Sequence, residues 1–255
     1  MAALPKRKSP AVATGAIEVL REGGCAIATI ARPPHNRISA AMASRLIYTI
    51  EEAEDDDSIH ALAIIGAGKV FCGGFDSGAD PALVESLAAL AKPTLAIING
   101  DAIDEGFELA LAMDLRVAVS SAKFVLKQLT RGQLPRFGGT QRLPRFIGPG
   151  PALQMLLTGD AIDAREAMRL RLLTYLAPNA ASLRKSAASL LAVLDSRGPV
   201  AARFAKEAVL KGFDMTLGQG IRLEEDLYAL LQTTVDRAEG VKAFMEKRKP
   251  LFKGA

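Results

Sequence analysis

Apolar residues along this chain follow two rhythms, and the rhythm changes partway. In the first half, short apolar runs are bounded by glycine, proline and charge, as buried strands are. Residues 16–20 and 26–31 read as two strands joined by a hairpin turn at Glu22-Gly23-Gly24. Arg32-Pro33-Pro34 breaks the chain, and Ser39 then caps a helix whose Met42, Leu46, Ile47 and Ile50 recur at helical spacing. The acidic residues 51–57 follow; negative charge at a helix C-terminus opposes the macrodipole, so most of that stretch is expected as loop.

The middle third alternates. Residues 61–65 read as a buried strand, 66–78 as a glycine-rich loop, 81–90 as a helix and 94–98 as a second buried strand. A helix over 106–113 and a strand over 116–119 complete the series, which is the order of a layered α/β core with parallel pairing. From Gly139 onward the pattern is almost wholly helical, punctuated by Pro144, Pro151 and Pro199. Residues 206–253 are long, amphipathic and basic at their end, Lys247-Arg248-Lys249. The division expected is a basic flexible tail over 1–15, a core over 16–195 and a helical C-terminal region over 196–255.

Composition narrows the function. Of 255 residues, 49% are apolar and 24% charged, which excludes a disordered or fibrous chain, and no apolar run reaches the length of a membrane span. The net charge of +4 suits an anionic small ligand at least as well as nucleic acid, for which only the basic ends speak. Two cysteines, Cys25 and Cys72, cannot build a disulfide framework, so a reducing, cytoplasmic setting is expected; two histidines make a poor metal site.

Familiar motifs fail. Gly66-Ala67-Gly68-Lys69 lacks P-loop spacing, and Ser77 is not in a nucleophile elbow. Two loops remain, each directly after a buried strand. In Phe71-Cys72-Gly73-Gly74-Phe75-Asp76, paired glycines let the backbone turn its N–H groups outward. In the second, from Asn99 through Asp104, Glu105 and Glu108, a helix begins and presents free N–H groups. Two such turns at neighbouring strand ends aim two donors at one oxygen, the geometry of an oxyanion hole. Asp104, Glu105 and Glu108 are spaced to share one helix face, and Glu108, set among Phe107, Leu109, Ala110 and Leu111, must be buried, paired or used.

Taken together, residues 16–253 resemble the crotonase (enoyl-CoA hydratase/isomerase) superfamily. The resemblance is carried by the run from Ile27 to Asn36, by the loop from Gly66 to Asp76, and by Ile98-Asn99-Gly100 through Glu108-Leu109-Ala110. Gly138-Gly139-Thr140-Gln141-Arg142-Leu143 and the segment from Phe244 to Lys249 add to it. It implies an α/β fold of repeated ββα turns in two near-perpendicular sheets, with a helical C-terminal region that builds trimers or hexamers. It implies an acyl-CoA thioester as substrate and no cofactor beyond that coenzyme A. The backbone N–H groups of Phe75 and Glu105 then form the oxyanion hole, and Gly74, Asp76 and Lys247 fall near the coenzyme.

Glu108 matches the first of the two glutamates by which the family's hydratases hold a water. Gln128 falls where the second would stand, and an amide orients a water without exchanging its proton. Asp104 and Glu105 replace glycines, so either carboxylate is a candidate replacement acid. Arg136 and Phe137 replace small or neutral residues near the acyl pocket. The leading expectation is an enoyl-CoA hydratase or isomerase with Glu108 as acid/base. The alternatives are a weakly catalytic acyl-CoA-binding or scaffold protein, and a CoA-thioester decarboxylase or hydrolase.

Overall fold

The structure, a computed structural model, describes residues 15–255; nearly all of the expected basic tail lies outside the described residues. The chain opens with β1 (Ala16–Glu22) and β2 (Cys25–Ala31), an antiparallel hairpin turning at Gly23-Gly24 as the sequence predicts. Then come α1 (Ala40–Asp55), β3 (Ala61–Gly66), β4 (Val70–Cys72), α2 (Ala82–Ala89), β5 (Thr94–Ile98) and β6 (Asp101–Ile103). After these lie α3 (Glu105–Leu111), β7 (Leu115–Val119), β8 (Lys123–Val125), α4 (Gly139–Ile147), α5 (Pro149–Thr158), β9 (Ile162–Asp163) and α6 (Ala164–Arg169). β10 (Tyr175–Ala177) and α7 (Ala180–Asp195) precede the last helices, α8 (Pro199–Gly212), α9 (Leu217–Leu231) and α10 (Val235–Met245).

Two sheets result. The larger has the order β1-β2-β3-β5-β7-β10, parallel throughout except for the first hairpin. Its central strands are mostly apolar because helices cover them: Ala28, Leu62, Ile64, Leu95 and Ala96 are fully buried. The smaller sheet, β4-β6-β8-β9, is built from strands of two or three residues, with β4, β6 and β8 parallel. Such strands are too short to show alternation, so the sequence reads β4 and β6 as parts of loops. β9 and β10 likewise interrupt a stretch expected to be helical.

One expectation is corrected at α1. The helix continues through Glu51, Glu52 and Glu54 to Asp55 rather than ending in loop. Ser39 caps it, accepting from the Met42 N–H, and Ala53 keeps the apolar stripe on the core. The acidic groups find partners that offset the dipole: Glu52 lies 3.7 Å from Arg45, and Glu54 accepts from the Ala91 N–H at 2.9 Å.

Further along the larger sheet, Arg116 is a buried cation on β7. Its guanidinium donates to the carbonyls of Met113 (2.5 Å) and Leu172 (2.8 Å) and stacks 4.1 Å from the Phe146 ring. It thereby ties the end of α3 to α4. The C-terminal helices join the core through Lys206 on α8, which meets Asp114 at 2.8 Å and the Lys92 carbonyl at 3.0 Å.

Candidate active site

The smaller sheet delivers both candidate loops to one place. β4 runs into Gly73-Gly74-Phe75-Asp76, and Gly74 takes φ +106°, a conformation that side chains disfavour. This loop is held by the turn before α1. Asn36 is fully buried; its amide donates to the carbonyls of Ala67 (2.8 Å) and Val70 (2.6 Å), and its oxygen accepts from the Arg32 N–H at 3.0 Å. Arg37 donates to the Gly73 carbonyl at 2.9 Å and to the Phe75 carbonyl, and pairs with Asp76 at 3.0 Å. Arg32 also pairs with Asp76. Both arginines hold the Asp76 carboxyl below the usual carboxylate range, Arg32 the more strongly.

Beside it, β6 leads through Asp104 into α3. Asp104 sits at φ +50° and ψ −120°, a strained position for a residue with a side chain. What holds it there is its carboxylate, which accepts from the Lys127 N–H at 2.6 Å and pairs with Arg131 at 2.9 Å. α3 presses directly on β4: a side-chain carbon on Gly106 would lie 2.3 Å from the Cys72 carbonyl oxygen. Next to Gly106, the Glu105 carboxylate reaches across and accepts the Phe75 N–H at 3.2 Å.

Glu108, one turn into α3, has no exposed surface. One carboxylate oxygen accepts the N–H groups of Phe137 and Gly139, each at 2.8 Å, at the start of α4. The other accepts the Gln128 amide N–H at 3.2 Å. Burial raises the Glu108 pKa above its ordinary value; the Gly139 and Phe137 N–H groups pull it back, the Glu105 charge adds to the rise and Arg142 opposes it. Gln128, on a single 3-10 turn after β8, is also buried, and its side-chain oxygen has no hydrogen-bond partner. The Phe75 and Phe137 rings meet at 5.3 Å and join the two halves of the site.

The structure thus brings Gly74, Phe75 and Glu105 together on one side and Glu108, Gln128 and Phe137 on the other. The three acidic residues of the second loop do not act as one face: each carboxylate has its own partner set, and Asp104 is turned toward Lys127 and Arg131. Arg136 is exposed, its guanidinium 4.9 Å from the Phe137 ring. Lys247 is exposed just past α10, and among the described residues its side chain makes no ion pair. Burial pushes the Cys72 thiol up to about 12, which fits a packed apolar residue rather than a nucleophile.

Sequence reasoning gave no role to Arg37, Arg131 or Arg142. Arg37 and Arg131 act on residues far along the chain, and Arg142 donates to the Phe137 carbonyl at 2.7 Å, so spacing carries no trace of them. Asn36 had a faint signal, a turn-forming residue after Pro33-Pro34, and takes φ +52°.

Comparison with known proteins gives the family and the fold. The family model described as enoyl-CoA hydratase/isomerase matches residues 21–255. The 2,3-dehydroadipyl-CoA hydratase of Escherichia coli (strain K12) is 34% identical over 250 residues, covering 92% of this chain and 98% of the relative. The (E)-benzylidenesuccinyl-CoA hydratase of Thauera aromatica is 40% identical over 217 residues, 78% of this chain and 84% of the relative. A crystal structure of an enoyl-CoA hydratase from Bacillus anthracis superposes with a TM-score of 0.89 at 33% identity, covering 94% of this chain and 99% of that one. With a family match over nearly its whole length and a shared fold, the chain belongs to the enoyl-CoA hydratase/isomerase family, the crotonase superfamily.

Proposed function

We propose that this enzyme adds water across the double bond of an enoyl-CoA thioester through an enolate held by the Phe75 and Glu105 N–H groups. The thioester oxygen gains negative charge as water attacks the β-carbon. Each well-placed donor lowers that barrier by about 3–4 kcal/mol. Glu108 takes the proton from the attacking water and returns it to the α-carbon, so the sum is one water added and the carboxylate restored. Gln128 orients the water without exchanging a proton.

The observation that carries this reading is the buried pair of Glu108 and Gln128, with the Gln128 oxygen left as an acceptor facing no protein donor. A buried acceptor without a partner is costly, and a water O–H satisfies it. One proton shuttle in place of two also suits a 1,3 double-bond shift, with Glu108 moving the proton from the γ- to the α-carbon. The two reactions differ in their product. Incubation with crotonyl-CoA is expected to add the mass of one water, and Glu108→Gln is expected to stop it. A mass that does not change while the double bond migrates would favour the isomerase. Tight binding of thioesters with neither change would make this a scaffold, and release of carbon dioxide or free CoA would point to decarboxylation or hydrolysis.

The proposal includes a homotrimer or homohexamer, in line with a C-terminal region that leaves Phe213, Leu217 and Phe244 68%, 81% and 85% exposed. In such an assembly Lys247 would meet the coenzyme phosphates of a neighbouring subunit, while Gly74 and Asp76 lie near the coenzyme in their own. No cofactor beyond the substrate's coenzyme A is required by this chemistry. Among the described residues, no helix is long and apolar enough to cross a membrane; a cytoplasmic setting suits the two free, buried thiols.

A further inference from the structure

The donor that should receive the substrate already has a ligand. Phe75 N–H donates to the Glu105 carboxylate at 3.2 Å, and Glu105 is the residue whose own backbone N–H supplies the second donor of the proposed oxyanion hole. We infer that Glu105 is an internal competitor for the substrate, whose carboxylate must leave the Phe75 N–H before a thioester oxygen can bind there. This inference rests on the enolate reading above and adds to it the residue that sets how tightly a thioester is held.

The competition is uneven. A carboxylate accepts an N–H bond more strongly than a neutral carbonyl does, so a ground-state thioester is the weaker ligand. The departing carboxylate also has a destination. An ideal side-chain carbon built on Gly74 would lie 2.6 Å from a Glu105 oxygen and 3.1 Å from the Arg37 guanidinium, so both groups border the same small space. A short rotation carries the charge from the Phe75 N–H to Arg37, which already holds this loop through the carbonyls of Gly73 and Phe75. Arg37 shares Asp76 with Arg32, so Asp76 does not claim it alone. The opposite direction is less favourable, because Glu108 is a second negative charge on the same helix.

The exchange is a cost on every bound state, ground state and transition state alike, so it weakens binding as a whole. It is tested with butyryl-CoA, a saturated thioester that cannot react, and with free CoA, which lacks the carbonyl. Calorimetric titration of wild type, Glu105→Gln and Glu105→Gly gives the ratio of the two affinities for each protein. That ratio is expected to rise about tenfold in both variants, equivalent to about 1.4 kcal/mol. An unchanged or lower ratio, in variants that melt like wild type, overturns the competition and leaves the enolate reading standing. Wild type and both variants alike failing to distinguish butyryl-CoA from CoA overturns both. A second readout needs no variant: the Glu105 carboxyl carbon resonance of wild type is expected to shift on adding butyryl-CoA and not on adding CoA. A resonance that both ligands leave in place overturns the inference, whatever the fate of the variants.

Discussion

The larger sheet and the two loops of the site sit in one molecule but are held by opposite means. In the sheet, Leu62, Ile64, Leu95 and Ala96 are fully buried, and regular parallel pairing satisfies the backbone. In the loops, position is set by polar groups reaching across the chain: Asn36 to Val70, Asp104 to Arg131, Glu108 to Phe137 and Gly139. Burial is non-directional, so damage to the sheet should cost stability in proportion to lost volume. Hydrogen bonds are directional, so damage to the loops should cost geometry first. Mutations that separate these two losses put the contrast to the test.

The largest effect expected is at Glu108. Glu108→Gln removes the proposed proton carrier while keeping the shape, and should lower kcat by about 10²–10⁴ with butyryl-CoA binding retained. Parallel losses of rate and binding would mean that Glu108 holds the fold of the site rather than moving a proton. The sheet counterpart is Leu95→Ala, which leaves a cavity against one face of the larger sheet and should cost about 3 kcal/mol in urea unfolding. Activity per folded molecule should stay at the wild-type level; a fall would show that the sheet transmits strain to the loops.

Between these extremes lies Asn36→Ala. It removes the donor that Asn36 supplies to the Ala67 and Val70 carbonyls and the acceptor it gives the Arg32 N–H, a loss of about 2 kcal/mol. Because Asn36 anchors the segment that feeds the Phe75 loop, KM for the enoyl-CoA should rise as well. A stability loss with unchanged KM would place the anchoring elsewhere, on Arg37.

The same contrast explains what could be read in advance. The strand Thr94–Ile98 is a continuous apolar run from Leu95 onward, and its burial on both faces is written in the run itself. The positions of Phe75, Glu105, Glu108 and Gln128 were legible through resemblance to a family, with oxyanion geometry suggested by glycines and a helix start after buried strands. What was not legible is where each carboxylate goes. Asp104 and Glu105 are adjacent, yet one turns to Arg131 and the other to Phe75, partners 27 and 30 residues away. The continuation of α1 through acidic residues was hidden for the same reason, since Arg45 and the Ala91 N–H offset a dipole that local reasoning counts against the helix.

The smallest effect is a pH dependence that links site and stability. Burial lifts the Glu108 pKa above its ordinary value near 4.5, more than the Phe137 and Gly139 N–H groups lower it. An acid whose pKa is higher in the folded than in the unfolded chain contributes stability that is complete below the unfolded value. That stability is lost as pH rises through the folded value, at about 1.4 kcal/mol for each pH unit separating the two. Glu108→Gln does not titrate, and its amide can donate to the Gln128 oxygen while its carbonyl keeps the two backbone N–H bonds. Relative to wild type, the variant should therefore gain stability in urea unfolding as pH rises from about 4.5 through the folded value of Glu108. In wild type the same ionisation creates the base that the proposed hydration needs, so kcat/KM should rise over the same interval in which the stability difference grows. Two midpoints that fall apart would show that the group limiting the rate is not the one whose burial strains the fold.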